Sequence, residues 1–202
     1  MVMKLSFAGL LVATVLLSGC TVVDLDENGQ PIIPKDPTAN TGFSGQTPQQ
    51  IAEENWDARV VKASADRALG WADMKTKSTT VKTGTSESVF VRAGGTVTAV
   101  SPADERERVL TVTINGETVP VAIGPVVRSN AIRDAGGFKF EEFTNQVQFA
   151  QMTKALNRQA AKQLPEVDAG WVGKPVQLML AVLMQPNQSP EVVAVSIKQE
   201  AP

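Results

Sequence analysis

The sequence predicts an α+β protein rich in strand: a small five-stranded OB-like barrel with a helix between its third and fourth strands, plus an N-terminal helical cap. Three observations predict it. The elements run three strands, a helix, two strands. Asn115-Gly116 stands between two apolar runs, and both residues tolerate the positive φ of a two-residue hairpin turn. Gly94-Gly95 interrupts the first strand, where one strand of a small closed barrel has to bulge or bend to serve both halves.

The chain opens with an export signal, residues 1–19. Lys4 supplies its positive start, and Leu5 to Leu17 is an apolar run too short to span a bilayer comfortably as a helix. The run ends in Leu17-Ser18-Gly19-Cys20, which resembles the lipobox of bacterial lipoproteins. Cys20 is the one cysteine of the chain and is the predicted lipid attachment site. Its acyl chains would anchor the protein in a membrane, since each buried methylene contributes about 0.8 kcal/mol. Thr21 follows the cysteine rather than Asp. In a Gram-negative cell that favours the periplasmic side of the outer membrane; in a Gram-positive cell the anchor would be the plasma membrane, facing outward.

Residues 20–46 read as a lipidated flexible tether. Pro31, Pro34 and Pro37 block helix and sheet pairing there, and Gly29, Gly42 and Gly45 loosen the backbone. Roughly 26 such residues span about 30 Å on average. Asp24, Asp26 and Asn28 before Gly29 lack the distant bidentate Glu of a calcium loop, so no metal is expected there.

Residues 47–202 read as one domain, with a helical cap over 47–75 and the barrel over 89–198. Thr47 and Gln50 match a capping box with Pro48 at the first helical position. Ala52, Trp56, Val60 and Ala63 share one face, and Trp56 and Trp71 read as core anchors. Gly70 is the weak point of the region after Ser64. A polar loop from Thr76 to Ser88 leads to strands Val89–Val100, Arg108–Ile114 and Thr118–Ile123. The mixed charges Asp104 to Arg108 read as a solvated turn. Phe138 to Phe143 reads as partly extended. A helix follows from Thr144 to about Gln163, with Phe149, Met152, Leu156 and Ala160 on its buried stripe, and Pro165 and Gly170 end it. Val176–Met184 and Glu191–Ile197 are the last strands.

Composition excludes several functions. The 202 residues are 43% hydrophobic and 20% charged, enough for one domain with a core, and the net charge is −2. Removal of residues 1–19 takes away Lys4 and leaves −3. A mildly acidic surface gains nothing from counterion release, so nucleic acid is not an expected partner. The chain has no His and no Tyr. A Ser-His-Asp triad cannot be assembled, and a zinc enzyme is not expected, since zinc sites normally need His or several Cys. Asp134, Glu141 and Glu142 offer carboxylates, but spacing alone does not make a flanking pair for glycoside hydrolysis. No catalytic residue, metal or cofactor is predicted, and an envelope hydrolase ranks behind a binding or an assembly protein.

The densest polar set lies in two stretches, GPVVRSNAIRDAGGF (124–138), which reads as a loop with Gly124, Pro125, Gly136 and Gly137, and FTNQVQFAQMTKALN (143–157). Arg128 and Arg133 are forked donors suited to carboxylate, phosphate or sugar hydroxyls. Asn145 and Gln146 stand in the first turn of a helix, where free N–H groups favour an anion or a polar ligand. Arg128, Asn130, Arg133, Asp134, Asn145 and Gln146 form the predicted ligand site. Phe138, Phe140, Phe143 and Phe149 read as core, with a stacking face for a sugar ring as the alternative for Phe140. The competing reading is internal bracing, with Asp134 paired to Arg128 or Arg133 and Asn145 satisfying loop groups. The position of each arginine divides them: Arg133 beside Asp134 braces, and Arg128 faces the ligand.

These two stretches resemble a family of bacterial periplasmic lipoproteins of unknown function, DUF2291, and the resemblance covers Pro48 to Ile197. Genes of that family commonly neighbour sugar-import systems of the ribose and xylose class. The resemblance therefore implies a role accessory to carbohydrate uptake, with a sugar-import component or a small carbohydrate as partner. The expected function is a non-enzymatic, lipid-anchored envelope protein that binds a small polar ligand or a partner. The alternative is a structural or assembly lipoprotein without a small-molecule site.

Overall fold

The computed structural model describes residues 42–200. The export signal, Cys20 and most of the tether lie outside them. Residues 42–46, read as the end of the tether, are laid against the fold. The Phe43 N–H donates to the Glu142 carbonyl at 3.2 Å, and its ring sits 5.1 Å from that of Phe143.

A helix opens at Thr47 as its local chemistry dictates. The Thr47 hydroxyl accepts from the Gln50 N–H, and the Gln50 side chain accepts from the Thr47 N–H. This is α1, Pro48–Asn55. The helix widens into a π-helical segment, Trp56–Lys62, and returns to α geometry as α2, Ala63–Arg67. Ile51, Ala52, Trp56, Val60 and Ala63 are all buried, the face that the apolar spacing marks. Gly70 is indeed a break: Leu69–Gly70 (β1) forms a short parallel pairing, and Gly70 caps α3, Trp71–Ser78.

Five long strands follow: β2 (Glu87–Val100), β3 (Glu107–Ile114), β4 (Glu117–Pro125), β5 (Pro175–Met184) and β6 (Glu191–Gln199). They close into a mixed barrel in the order β2-β3-β4-β6-β5, with β5 pairing back onto β2. All neighbours are antiparallel except β4 and β6, which run parallel with Ala122 registered against Val193. Asn115 and Gly116 turn β3 into β4 at φ 49° and 84°.

β2 serves both halves of the barrel. It pairs with β5 from Glu87 to Thr96 and with β3 from Thr96 to Val100. The bulge expected at Gly94-Gly95 falls later, where the register slips between Val97 and Ala99. Gly95 answers to crowding instead. A Cβ there would stand 2.6 Å from both the Thr113 carbonyl oxygen and Val112 Cγ1. The absent side chain lets β2 pass close over β3.

Between β4 and β5 the chain forms α4 (Ala131–Ala135), a 3-10 turn (Phe140–Glu142), α5 (Gln146–Gln163) and a second 3-10 turn (Ala169–Trp171). Two readings need correction here. Residues 124–138 are not all loop, since α4 sits inside them. Within the stretch read as partly extended, Lys139 and Phe143 are extended and flank the 3-10 turn, which Glu142 closes by accepting from the Lys139 N–H at 2.7 Å. α5 begins at Gln146 rather than Thr144, with Asn145 as its cap.

Alternation along β5 and β6 explains why these strands read as apolar runs. Leu178, Leu180, Val182 and Ala194 face the barrel interior with Leu110, Val112 and Val121. Ala181, Leu183, Val193 and Val195 face outward, where Trp56, Ile132, Met152 and Leu156 cover them. Each fully buried Leu or Ile contributes roughly 2–3 kcal/mol, so both layers matter to stability. The helical region is divided between them. α1 and the π segment cover the outer wall, while Trp71 and Met74 of α3 join the interior cluster.

Candidate functional site

The polar residues of the two diagnostic stretches form a hub that ties helices and loops together. Arg59, in the π segment, reaches into it. Its guanidinium donates to Glu142 at 2.8 and 3.1 Å and to the Gly137 carbonyl at 2.6 Å, and it stacks 3.9 Å from the Phe138 ring centroid. Partial burial pushes the Glu142 carboxyl up. The hydrogen bonds from Arg59 and the Lys139 N–H, with the charges of both residues, outweigh that and hold it below the usual carboxylate range.

Arg133 makes a parallel set of contacts. Its Nε donates to Asp134 Oδ1 at 2.7 Å and its Nη1 to Thr153 Oγ1 at 3.0 Å, and the guanidinium lies 4.0 Å over Phe149. Asn145 Oδ1 accepts from the Gln148 N–H at 2.9 Å, which caps α5. Gln148, buried, accepts from the Thr144 N–H and donates to the carbonyls of Phe43 and Gln46. Asn157, also buried, donates to the Val127 and Ser129 carbonyls at 3.1 and 2.8 Å.

Arg128 behaves differently. Its side chain is 80% exposed and pairs with Glu107 at 2.7 Å. It borders a recess of about 310 Å³, with Val109, Pro120, Val127 and Val192 on the apolar wall. Asn130 and Gln146 are exposed. The six predicted ligand residues thus pair off with different neighbours. Arg133 and Asp134 bind each other, Asn145 caps a helix, and Arg128, Asn130 and Gln146 face outward.

A larger cavity, about 620 Å³, opens between the start of β3, the end of β4 and the last turns of α5. Arg106, Arg108, Arg158 and Lys162 line it, with Glu166 as its one carboxylate. Gly124 makes the close approach of β4 to α5 possible. It sits at φ 77°, and a Cβ on it would stand 2.6 Å from the Ala161 Cβ. Arg108 departs from the solvated turn expected of residues 104–108. It is half-buried and donates to the Val167 carbonyl from β3, while its Nε is buried without a hydrogen-bond partner.

The family described as predicted periplasmic lipoprotein (DUF2291) matches residues 10–198. The chain belongs to this DUF2291 family. The match runs from within the apolar export segment almost to the end of β6, so it takes in the hub and the cavity alike. No curated protein matches the chain.

Membership in DUF2291 makes this a predicted periplasmic lipoprotein, which implies lipid anchoring in a membrane. The spacing of Arg158 and Lys162, four apart on α5, puts both on one helix face and is readable in the sequence. Arg106 and Arg108, two apart at the start of a strand, share a side by the same kind of rule. Nothing local joins the two pairs. Arg59 and Gln148 carry no sequence signal of their roles either, since their partners lie on distant segments.

Proposed function

We propose that this DUF2291 protein is a lipid-anchored binding protein of the cell envelope, without catalysis of its own, that holds a small polar ligand such as a sugar and serves carbohydrate uptake. In a Gram-negative cell, Thr21 after a lipidated Cys20 would favour the outer membrane. The observation that carries it is the cavity of about 620 Å³ at the barrel rim. Its size suits a small molecule, and it combines forked donors with an apolar floor of Ile123, Val126 and Leu164. The ligand site moves with it, from residues 128–146 to the four cations of the rim.

The barrel is, on this proposal, of the OB type. The spatial order of its strands, the parallel pairing of β4 with β6 and a helix between β4 and β5 support that reading. The reading without catalysis rests on the missing His and Tyr. Of the three carboxylates weighed for hydrolysis, Asp134 and Glu142 each pair with an arginine, and Glu141 is exposed.

Titration of the purified protein with pentoses, hexoses and their acids tests the proposal. Saturable binding of any of these, lost when the rim residues are changed, is the expected result. A second reading, an assembly protein that docks an envelope partner, is favoured by the apolar recess beside Arg128. Binding of no sugar or sugar derivative would leave that reading in its place.

A further inference from the structure

We infer that the rim cavity selects an anion: its ligand carries a carboxylate or a phosphate beside an apolar or ring-shaped body. This rests on the binding reading above and specifies the ligand's chemistry. Four cations line the cavity against one carboxylate, in a chain whose net charge is −2. Among the described residues none of the four forms an ion pair, although five other ion pairs are made. Like charges gathered in a concave wall repel one another and focus a positive potential on the space between them. A neutral sugar would leave that repulsion in place, whereas an anion relieves it.

Two alternatives account for part of the cluster and not for all of it. Arg158 and Lys162 stand in the last turns of α5, where cations complement the helix dipole. That does not explain Arg106 and Arg108, which come from the opposite wall. Solvation accounts for Arg106, Arg158 and Lys162, which are exposed, but not for Arg108, which is half-buried and whose Nε is buried with no partner. Arg108 is instead held by the Val167 carbonyl, which keeps its charge at the cavity wall with no acidic partner among the described residues. Three of the four lining cations carry guanidinium groups, whose forked donors suit the planar acceptor of a carboxylate or phosphate. The apolar floor of Ile123, Val126 and Leu164 lies beside them to receive the rest of the molecule.

The test uses the lipidated chain in a non-ionic detergent. It compares glucose, glucuronate, glucose 6-phosphate and inorganic phosphate by calorimetric titration, and adds phosphatidylglycerol or phosphatidylcholine to the micelles in a separate arm. One or more of the soluble anions is expected to bind at least about tenfold more tightly than glucose. That binding weakens as salt rises to about 0.5 M. The paired change Arg158→Gln and Lys162→Gln is expected to cost about tenfold in affinity. The charge-conserving Arg158→Lys should retain part of it, more than the paired change does, which separates loss of charge from loss of fold. Binding of phosphatidylglycerol alone also supports the anion site and makes a lipid headgroup its source. Glucose binding as tightly as glucuronate, with no salt dependence, would overturn the inference and leave the sugar-binding reading standing. If neither neutral nor anionic probes bind, both fall.

Discussion

Arg59 and Glu142, 83 positions apart, meet in a two-pronged ion pair with nitrogen–oxygen distances of 2.8 and 3.1 Å. The pair joins the π-helical segment to the 3-10 turn before α5. Arg59 also satisfies the Gly136 and Gly137 carbonyls, so its removal unpairs several groups at once.

Arg59→Ala is therefore expected to lower stability by about 1–3 kcal/mol. Arg59→Lys should recover only part, because an ammonium cannot fork across both carboxylate oxygens. The pH dependence follows from Glu142. Its carboxyl titrates below the usual range in the folded protein. The contribution is complete above the unfolded carboxyl's range and is lost as pH falls through the lower, folded value. Thermal unfolding of wild type and Glu142→Gln across pH 3–7 (roughly the carboxylate window and above) should show curves converging on the acid side. Parallel curves would remove Glu142 from this role.

Arg133 and Arg128 should part company in the same kind of measurement. Arg133, with a side chain 12% exposed, is bound to Asp134 and Thr153. Arg133→Ala is expected to cost about 1–3 kcal/mol, and a second change, Asp134→Asn, to return part of it. Arg128→Ala should stay within about 0.5 kcal/mol of wild type, since its pair with Glu107 is exposed. A loss of several degrees for Arg128→Ala would make that residue structural.

Gly94 and Gly95 offer a comparison between neighbours. A Cβ at Gly94 meets only the Val176 carbonyl, at 3.9 Å, while one at Gly95 collides with β3. Gly94→Ala should be close to neutral. Gly95→Ala should destabilise by about 1–3 kcal/mol, because backbone has to move. Equal melting temperatures for the two variants would show that β2 and β3 do not cross so closely.

Cys20→Ser is expected to abolish lipidation and block processing of the export signal. Metabolic labelling with a palmitate analogue reads this directly, and label retained on the variant would sink the anchor assignment.

Local chemistry made much of the fold legible. The Thr47–Gln50 capping box and the Asn115-Gly116 turn each depend on adjacent residues, and each stands where the sequence puts it. The π segment was not legible. Trp56 and Val60, four apart, fit the buried face of an ordinary helix as well as that of a wider one. α4 was hidden because Gly136 and Gly137 read as loop, although they follow the helix rather than interrupt it. For the candidate site, Arg133 beside Asp134 was readable as a brace by adjacency. The convergence of Arg106 and Arg108 with Arg158 and Lys162 was not, since it depends on the packing of α5 across β4.

The order of the strands in space differs from their order along the chain, and that bears on how the protein is made. β6, the last strand of the described residues, lies between β4 and β5. The β5–β6 hairpin pairs with β2 on one side and β4 on the other, and so closes the barrel. During export the meander of β2, β3 and β4 emerges first, and α5 follows it. Until the hairpin arrives, that meander carries two unpaired edges, each a template for another chain. The newly translocated polypeptide is thus most prone to self-association in the interval between the emergence of Pro125 and that of Gln199.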